Sequence, residues 1–275
     1  MLGRTSTQVR DRIPAPGSLL APAIRPLAAA LVVICAAVTV FLGARFADQV
    51  QPGRLDRVID FRVRSGLGWH QPLLNLITGI GDPFPVLVMI AALVLACLAT
   101  QRRRAAVLVA VAVPAAAALT EVLLKPLIGR TMQGELSFPS GHTTGMFAVA
   151  GSCAVLLLGP ARPRIPAAPR LLLTLAGYLI AVAVAVAMVG LGAHYFTDTV
   201  AGAAVGTAVV LVTALILDRL RPSREQRRAD PADQPVPARA GRDLLPGEVR
   251  AAAAARHPRS HRGWSTAVPP SSQTI

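Results

Sequence analysis

Six long apolar runs divide this chain of 275 residues and constrain its fold more than any other feature. They lie at about 27–44, 83–100, 105–124, 143–159, 171–190 and 199–217. Each approaches the ~20 residues that a membrane-spanning helix needs, and only the third contains a charged residue, Glu121, near its end. Because unpaired backbone groups are costly in lipid, spanning segments of this kind are helical. The sequence therefore predicts an all-α integral membrane bundle of six spans.

Composition supports a membrane protein over a nucleic-acid binder. Hydrophobic residues make up 53% of the chain and charged residues 15%, which is more apolar than an ordinary soluble domain. The formal net charge is +14, carried by 28 basic residues, of which Lys125 is the one lysine. A nucleic-acid binder would not distribute its basic residues between apolar spans. The three cysteines (Cys35, Cys97 and Cys153) have no metal-ligand spacing and are expected to be small packing residues.

Basic residues also predict the orientation and the domain limits. The short loops QRRR (101–104) and ARPRIPAAPR (161–170) are typical of the cytoplasmic side. We expect a basic cytoplasmic tail at 1–26, a membrane domain at 27–217 and a disordered Arg- and Pro-rich cytoplasmic tail at 218–275. The outer segment 45–82 is predicted to form an amphipathic helix along the interface, followed by a short apolar helix. The protein is thus expected in the cell (inner) membrane, with both termini in the cytoplasm.

Polar residues converge on the outer side of these predicted spans. Lys125 ends the third span, the stretch 139–142 opens the fourth, and the stretch 190–198 joins the last two. Seven residues are brought to this membrane face: Lys125, Arg130, Ser140, Gly141, His142, His194 and Asp198. Each has an ordinary explanation, such as an ion pair of Lys125 with Glu121 or helix capping by Ser140 and Asp198. Their clustering at a membrane face is costly and indicates a functional site.

The side chains in this cluster suit phosphate chemistry. A helix N-terminus that carries a serine hydroxyl, a glycine amide and nearby cationic groups is a favourable site for an anion. Two histidines add a nucleophile and a proton donor. Asp198 follows His194 by four residues, where it can orient the imidazole.

Two motifs resemble those of the type 2 phosphatidic acid phosphatase family, the membrane branch of a superfamily shared with vanadium haloperoxidases. PSGH stands at 139–142, and HYFTD at 194–198 supplies the H-x3-D pattern of the family. The resemblance covers about 80–217 and implies a six-span bundle with an active site facing outside. The family patterns K-x6-R-P and S-R-x5-H would place arginines at Met132 and Met188, so both arginines are missing here. Arg130 is the nearest replacement for the first.

The resemblance implies a phosphatase that needs no metal or other cofactor. His194 would attack phosphorus to form a phosphohistidine, Asp198 would orient it, and His142 would act as general acid and then base. The phosphoryl oxygens would be held by Lys125, Arg130, Ser140 and Gly141. The implied substrate is a lipid phosphate or diphosphate monoester of the phosphatidic acid, phosphatidylglycerol phosphate or polyprenyl diphosphate type.

Three alternatives follow from the same residues. The missing arginines suggest a catalytically weak or inactive lipid-phosphate binder. A metal hydrolase would use His142, His194, Asp198 and Glu135, although these lack a paired ligand motif such as H-E-x-x-H. A vanadium haloperoxidase is disfavoured because those relatives are soluble.

Overall fold

The computed structural model describes residues 18–160 and 165–220, which form a helical bundle. The helices are α1 (Arg25–Phe46), α2 (Arg54–Leu67), α3 (Gln71–Gly79), α4 (Pro83–Ala99), α5 (Arg103–Ala118), α6 (Lys125–Ile128), α7 (Gly141–Leu158), α8 (Ala167–Gly190) and α9 (Phe196–Arg219). Short 3-10 helices at Pro22–Ile24 and Gly68–His70 precede α1 and α3. The predicted C-terminal tail beyond residue 220 and most of the predicted N-terminal tail lie outside the described residues.

Within the described ranges, five helices are long and apolar enough to cross a membrane. They are α1 with its leading turn, the continuous helix Arg103–Ile128, α7, α8 and α9. α4 has 17 residues and joins this set only with α2 and α3, across a bend of 41°, which brings the number to six. The prediction of an all-α membrane bundle is therefore confirmed.

The third span continues past its apolar run, because α6 extends the helix beyond a π-helical turn. Leu119–Leu124 form this turn between α5 and α6, and Pro114 lies inside α5 without ending the helix. The helix ends where Gly129 adopts the left-handed conformation (φ 66°), which glycine enters at little cost. The chain then turns away from the helix axis, and this turn determines where Arg130 lies.

A two-stranded ribbon interrupts the helical pattern after this turn. β1 (Thr131–Met132) pairs with β2 (Glu135–Leu136) in antiparallel register. Gln133 and Gly134 link the strands with φ values of 54° and 88°, as a tight hairpin turn requires. Gln133 Nε2 donates to the Gly192 carbonyl oxygen at 3.2 Å, which ties the ribbon to the connection between α8 and α9.

α7 is the most buried of the candidate spans and packs against α5, α8 and α9. Its contact with α9 is close because α9 has glycine at two positions one turn apart, Gly202 and Gly206. A Cβ at Gly202 would lie 2.6 Å from the Ser140 carbonyl oxygen, and one at Gly206 would collide with the Thr144 carbonyl oxygen. Small residues of this kind let membrane helices approach each other closely. The packing brings the first turns of α7 and α9 together.

α2 has the predicted amphipathic character. Asp56 and Asp60 are buried on one of its faces, whereas Phe61 on another face is exposed. Asp60 Oδ1 accepts the Phe196 N–H at 3.1 Å, and Asp56 Oδ1 accepts the Thr197 N–H at 2.9 Å. Both bonds satisfy backbone donors of the first turn of α9, which have no partner within the helix. α2 therefore packs against the site region; its place at the membrane interface stays a prediction, as does anchoring by Trp69.

Candidate functional site

A cavity of about 680 Å³ lies between α4, α5, the start of α7 and the ribbon. Its polar end is lined by Glu121, Lys125, Glu135, His142 and His194. Its apolar walls come from α4 (Val86, Leu87, Ile90) and α5 (Val113, Pro114, Ala117). The cavity therefore combines titratable groups with an apolar groove between two helices.

The two histidines reach this cavity from different parts of the chain. His142 is the second residue of α7, and its Nε2 lies 3.0 Å from Asp82 Oδ1. His194 precedes α9, and its Nδ1 faces Asp198 Oδ2 at 3.7 Å. That separation exceeds a hydrogen bond, and within the described residues Nδ1 has no other partner. Because Nδ1 is directed toward Asp198, Nε2 is the nitrogen available for other chemistry.

Lys125 and Glu121 form an ion pair along their helix. Lys125 Nζ lies 2.8 Å from Glu121 Oε2, as their spacing of four residues predicted. The other oxygen, Oε1, lies against Gly141, where an added Cβ would collide with it. The Glu121 carboxylate thus stands between the lysine ammonium and the N-terminus of α7.

Ser140 caps α7 and does not line the cavity. It is fully buried, and its Oγ accepts the Thr143 N–H at 3.5 Å and the Thr143 hydroxyl at 3.1 Å. Its backbone N–H donates to the Asp198 carbonyl oxygen at 3.0 Å, which joins the two connections behind the cavity. The capping explanation therefore accounts for Ser140, and its expected contact with phosphate is corrected because the residue is fully buried and does not line the cavity.

Arg130 is also corrected, because it lies in the protein interior behind the cavity. Its side chain is fully buried, with Cζ 4.1 Å from the Phe46 ring centre and 4.3 Å from that of Tyr195. Nη2 bonds Asp56 Oδ2 at 2.7 Å, and Nη1 bonds Thr197 Oγ1 at 2.7 Å and also Asp198 Oδ1. With both terminal nitrogens occupied by these partners, Arg130 cannot reach a phosphate in the cavity.

Asp198 is thereby held from two sides. Oδ1 is paired with Arg130, and Oδ2 accepts the Tyr195 N–H at 3.1 Å and faces His194. Burial raises the pKa of the Tyr195 phenol, so its hydroxyl stays protonated and donates to the Val50 carbonyl oxygen at 2.9 Å. Asp198, which faces His194, is thus fixed by a buried network that reaches α1 and α2.

Neither family arginine position supplies a charge to the cavity. Met132 lines the cavity, and Met188 packs in an apolar cluster with Met146 and Val184. The Met188 carbonyl oxygen accepts the N–H groups of Ala193 and His194 at 3.0 and 3.4 Å. Among the described residues that line the cavity, Lys125 is the only lysine or arginine.

The structure adds two carboxylates for which the sequence analysis predicted no role in the site. Asp82 contacts His142, and Asp56 contacts Arg130. Asp56 belongs to an amphipathic helix whose buried face could have indicated an inward charge, whereas nothing local marks Asp82. In residues 18–160 and 165–220, no three His, Cys, Asp or Glu side chains form a group that could hold a metal ion, so the metal-hydrolase alternative has no ligand set there.

Comparison with known proteins shows a family likeness for part of the chain. Residues 120–222 match the model of the PAP2 superfamily. Over this segment the chain is similar to that superfamily. The resemblance expected from the PSGH and H-x3-D motifs is therefore confirmed.

A solved structure extends the likeness to the bundle. The crystal structure of a transmembrane PAP2-type phosphatidylglycerolphosphate phosphatase from Bacillus subtilis matches with a TM-score of 0.56 and 18% identity. The match covers 69% of this chain and 97% of that one. At this identity the likeness shows the fold, which is that of an integral membrane protein. Among curated proteins no sequence match is found.

Proposed function

We propose that this protein is a membrane lipid phosphatase that hydrolyses lipid phosphate or diphosphate monoesters through a phosphohistidine. The observation that carries the proposal is the presence of His142 and His194, from separate connections, in one cavity beside Lys125. The match of residues 120–222 to the PAP2 superfamily model supports a phosphatase at the level of the family.

In the proposed reaction, His194 is the nucleophile. Its Nδ1–H points to Asp198, so the lone pair on Nε2 attacks phosphorus while the bond to the alcohol oxygen breaks. His142 gives its proton to that leaving oxygen. Asp82 holds Nε2 of His142, so we assign this proton transfer to Nδ1. Water then attacks phosphorus, the P–N bond breaks, and His142 takes the proton from water.

Fewer groups are available to bind phosphate than the motifs suggested. Lys125 and the free amides at the start of α7, next to Gly141, remain as donors. Ser140 supports them indirectly by capping the helix, and Arg130 supports Asp198. The apolar walls between α4 and α5 suit the hydrocarbon part of a lipid substrate.

A catalytically weak or inactive lipid-phosphate binder is the second candidate. It is favoured by one observation: the cavity has a single lysine or arginine among its described lining residues, and this lysine is paired with Glu121. A clamp with fewer cations stabilises the transition state of phosphoryl transfer less.

The deciding experiment measures phosphate release from a panel of lipid phosphates and diphosphates by purified protein. We expect turnover by the wild type, loss in His194→Ala, and no loss in His70→Ala, which removes an exposed histidine outside the cavity. Brief reaction with a radiolabelled lipid diphosphate should leave label on His194. Binding without turnover on every substrate, in folded protein, would support the second candidate.

We further propose that the site faces the outside, with both termini in the cytoplasm and the membrane domain at 27–217. Gln133 in the exposed ribbon turn and Gln101 between α4 and α5 are expected on opposite sides of the membrane. Cysteine at position 133 should react with a membrane-impermeant thiol reagent in intact cells, and cysteine at position 101 should react only after permeabilisation. The reverse pattern would contradict this orientation.

A further inference from the structure

The Glu121 side chain occupies the place where a bound anion would be expected. One carboxylate oxygen is 2.8 Å from Lys125 Nζ, and the other lies against Gly141 at the first position of α7. Both neighbours line the same cavity as the two histidines. A negatively charged oxygen thus already lies between the ammonium group and the helix N-terminus.

The N-terminus of α7 attracts such an anion. α7 has 18 residues, and its capping serine hydroxyl serves the Thr143 amide. The amides of Gly141 and His142 have no hydrogen-bond partner in the part of the chain that the structure describes. Free amides and the helix dipole together favour a negative group at this end.

Glu121 also offsets the cationic side chain on which the cavity depends. Met132 and Met188 stand where the family pattern has arginines, and Arg130 is paired with buried carboxylates. Lys125 is therefore the one lysine or arginine among the described lining residues, and it is paired with Glu121. A phosphate that enters the cavity must compete with this carboxylate for Lys125 and for the helix amides.

We propose that Glu121 is an internal competitor of the phosphate group, which substrate must displace before it can bind. The inference rests on the proposed function, since it takes a lipid phosphate as the ligand. The Glu121 side chain is half exposed, so it can move away from Lys125 without crossing the packed core. Its position in a π-helical turn is consistent with a functional role, because such turns are frequent at functional sites. Glu121 therefore sets the affinity of the site for phosphate and takes no part in bond breaking.

Binding of inorganic phosphate to the purified full chain tests the inference without requiring turnover. We expect Glu121→Gln to bind inorganic phosphate about tenfold more tightly than the wild type, since a competing charge at ion-pair distance is removed. Glu135→Gln is the matched control. It removes the same charge from the same cavity, but Glu135 is exposed and forms no ion pair in the described residues, so its effect should stay below about threefold.

Kinetics with a lipid phosphate provide the second measurement. Glu121→Gln should lower KM by about the same factor and leave kcat within about twofold, because a competitor acts on binding alone. Unchanged or weaker phosphate binding in Glu121→Gln would overturn the inference, as it would mean that Glu121 serves to hold Lys125 in place. An equal gain in phosphate affinity in Glu121→Gln and Glu135→Gln would also overturn the inference, because it would mean that removing any negative charge from the cavity has the same effect.

Two provisions keep the test decisive. If Glu121→Gln fails to fold, Glu121→Asp replaces it: the shorter side chain loosens the contact with Lys125 and Gly141, and a gain in phosphate affinity is expected again. If the wild type hydrolyses no lipid phosphate, the proposed function fails, while the binding comparison still supports or overturns the competition by Glu121.

Discussion

Replacing Arg130 by glutamine tests the buried network that fixes Asp198. The fully buried guanidinium is paired with Asp56 and Asp198 and lies between the rings of Phe46 and Tyr195. Without it, two carboxylates remain in the interior with no cation to neutralise them. We expect a large loss of stability and a fall in kcat, because Asp198 would no longer be held in line with His194.

The size of the effect follows from these contacts. Removing one partner of a buried ion pair costs roughly 3–5 kcal/mol, and loss of the cation–π contacts adds about 1 kcal/mol. For a chain of this size, each kcal/mol shifts Tm by roughly 2–4 °C. Arg130→Gln should therefore lower Tm in detergent by about 10–20 °C. The double variant Arg130→Gln/Asp56→Asn has one uncompensated carboxylate fewer and should recover part of that loss.

Thermal unfolding of the purified protein, followed by circular dichroism, provides the measurement. A decrease in Tm below about 2 °C for Arg130→Gln would refute the account, since it would mean that water or another cation compensates the two carboxylates. A double variant less stable than the single one would refute it as well, because removal of a repelling charge must help if the charges are uncompensated.

Three further outcomes are expected from the same structure. Gly202→Ala should destabilise the bundle by about 1–3 kcal/mol through overpacking, whereas Gly177→Ala, whose Cβ would meet its neighbours at an ordinary 3.9 Å, should leave Tm nearly unchanged. Met132→Arg should lower KM for a lipid phosphate about tenfold by adding a cation to the cavity wall, measured in the phosphate-release assay. Asp82→Asn should lower kcat more than it changes KM, since it disturbs His142, the proposed general acid; equal changes in both constants would contradict this role.

The spans could be predicted because membrane insertion depends on local hydropathy, which can be calculated for each segment of the sequence separately. The fourth to sixth apolar runs correspond to α7, α8 and α9 within a few residues. The second run corresponds to α4, which reaches spanning length only together with α2 and α3, across a bend. The approach of the two histidines could also be anticipated, because spans of fixed length return the chain to the same side.

The direction of individual side chains could not be predicted in this way. Arg130 follows Lys125 by only five residues, so a shared phosphate seemed natural from the sequence. The helix ends in a left-handed turn at Gly129, and the interior carboxylate of Asp56, distant in sequence, then binds the guanidinium away from the cavity. Ser140 illustrates the same limit, since capping and phosphate binding require the same residue at the same place, and only the packing of α9 against α7 separates them.

The charges around the site are divided between the cavity and the interior behind it. The cavity lacks the arginines of the family patterns, whereas Arg130 lies behind it, paired with two buried carboxylates. Arg130 neutralises Asp198 in the interior, and this leaves His194 beside a carboxylate whose position is fixed by backbone and side-chain bonds. A carboxylate held in this way needs no reorganisation when positive charge develops on the imidazole. In the proposed reaction, the chain therefore favours an ordered nucleophile over strong binding of the phosphate ground state. Such an arrangement weakens substrate affinity more than it weakens the chemical step.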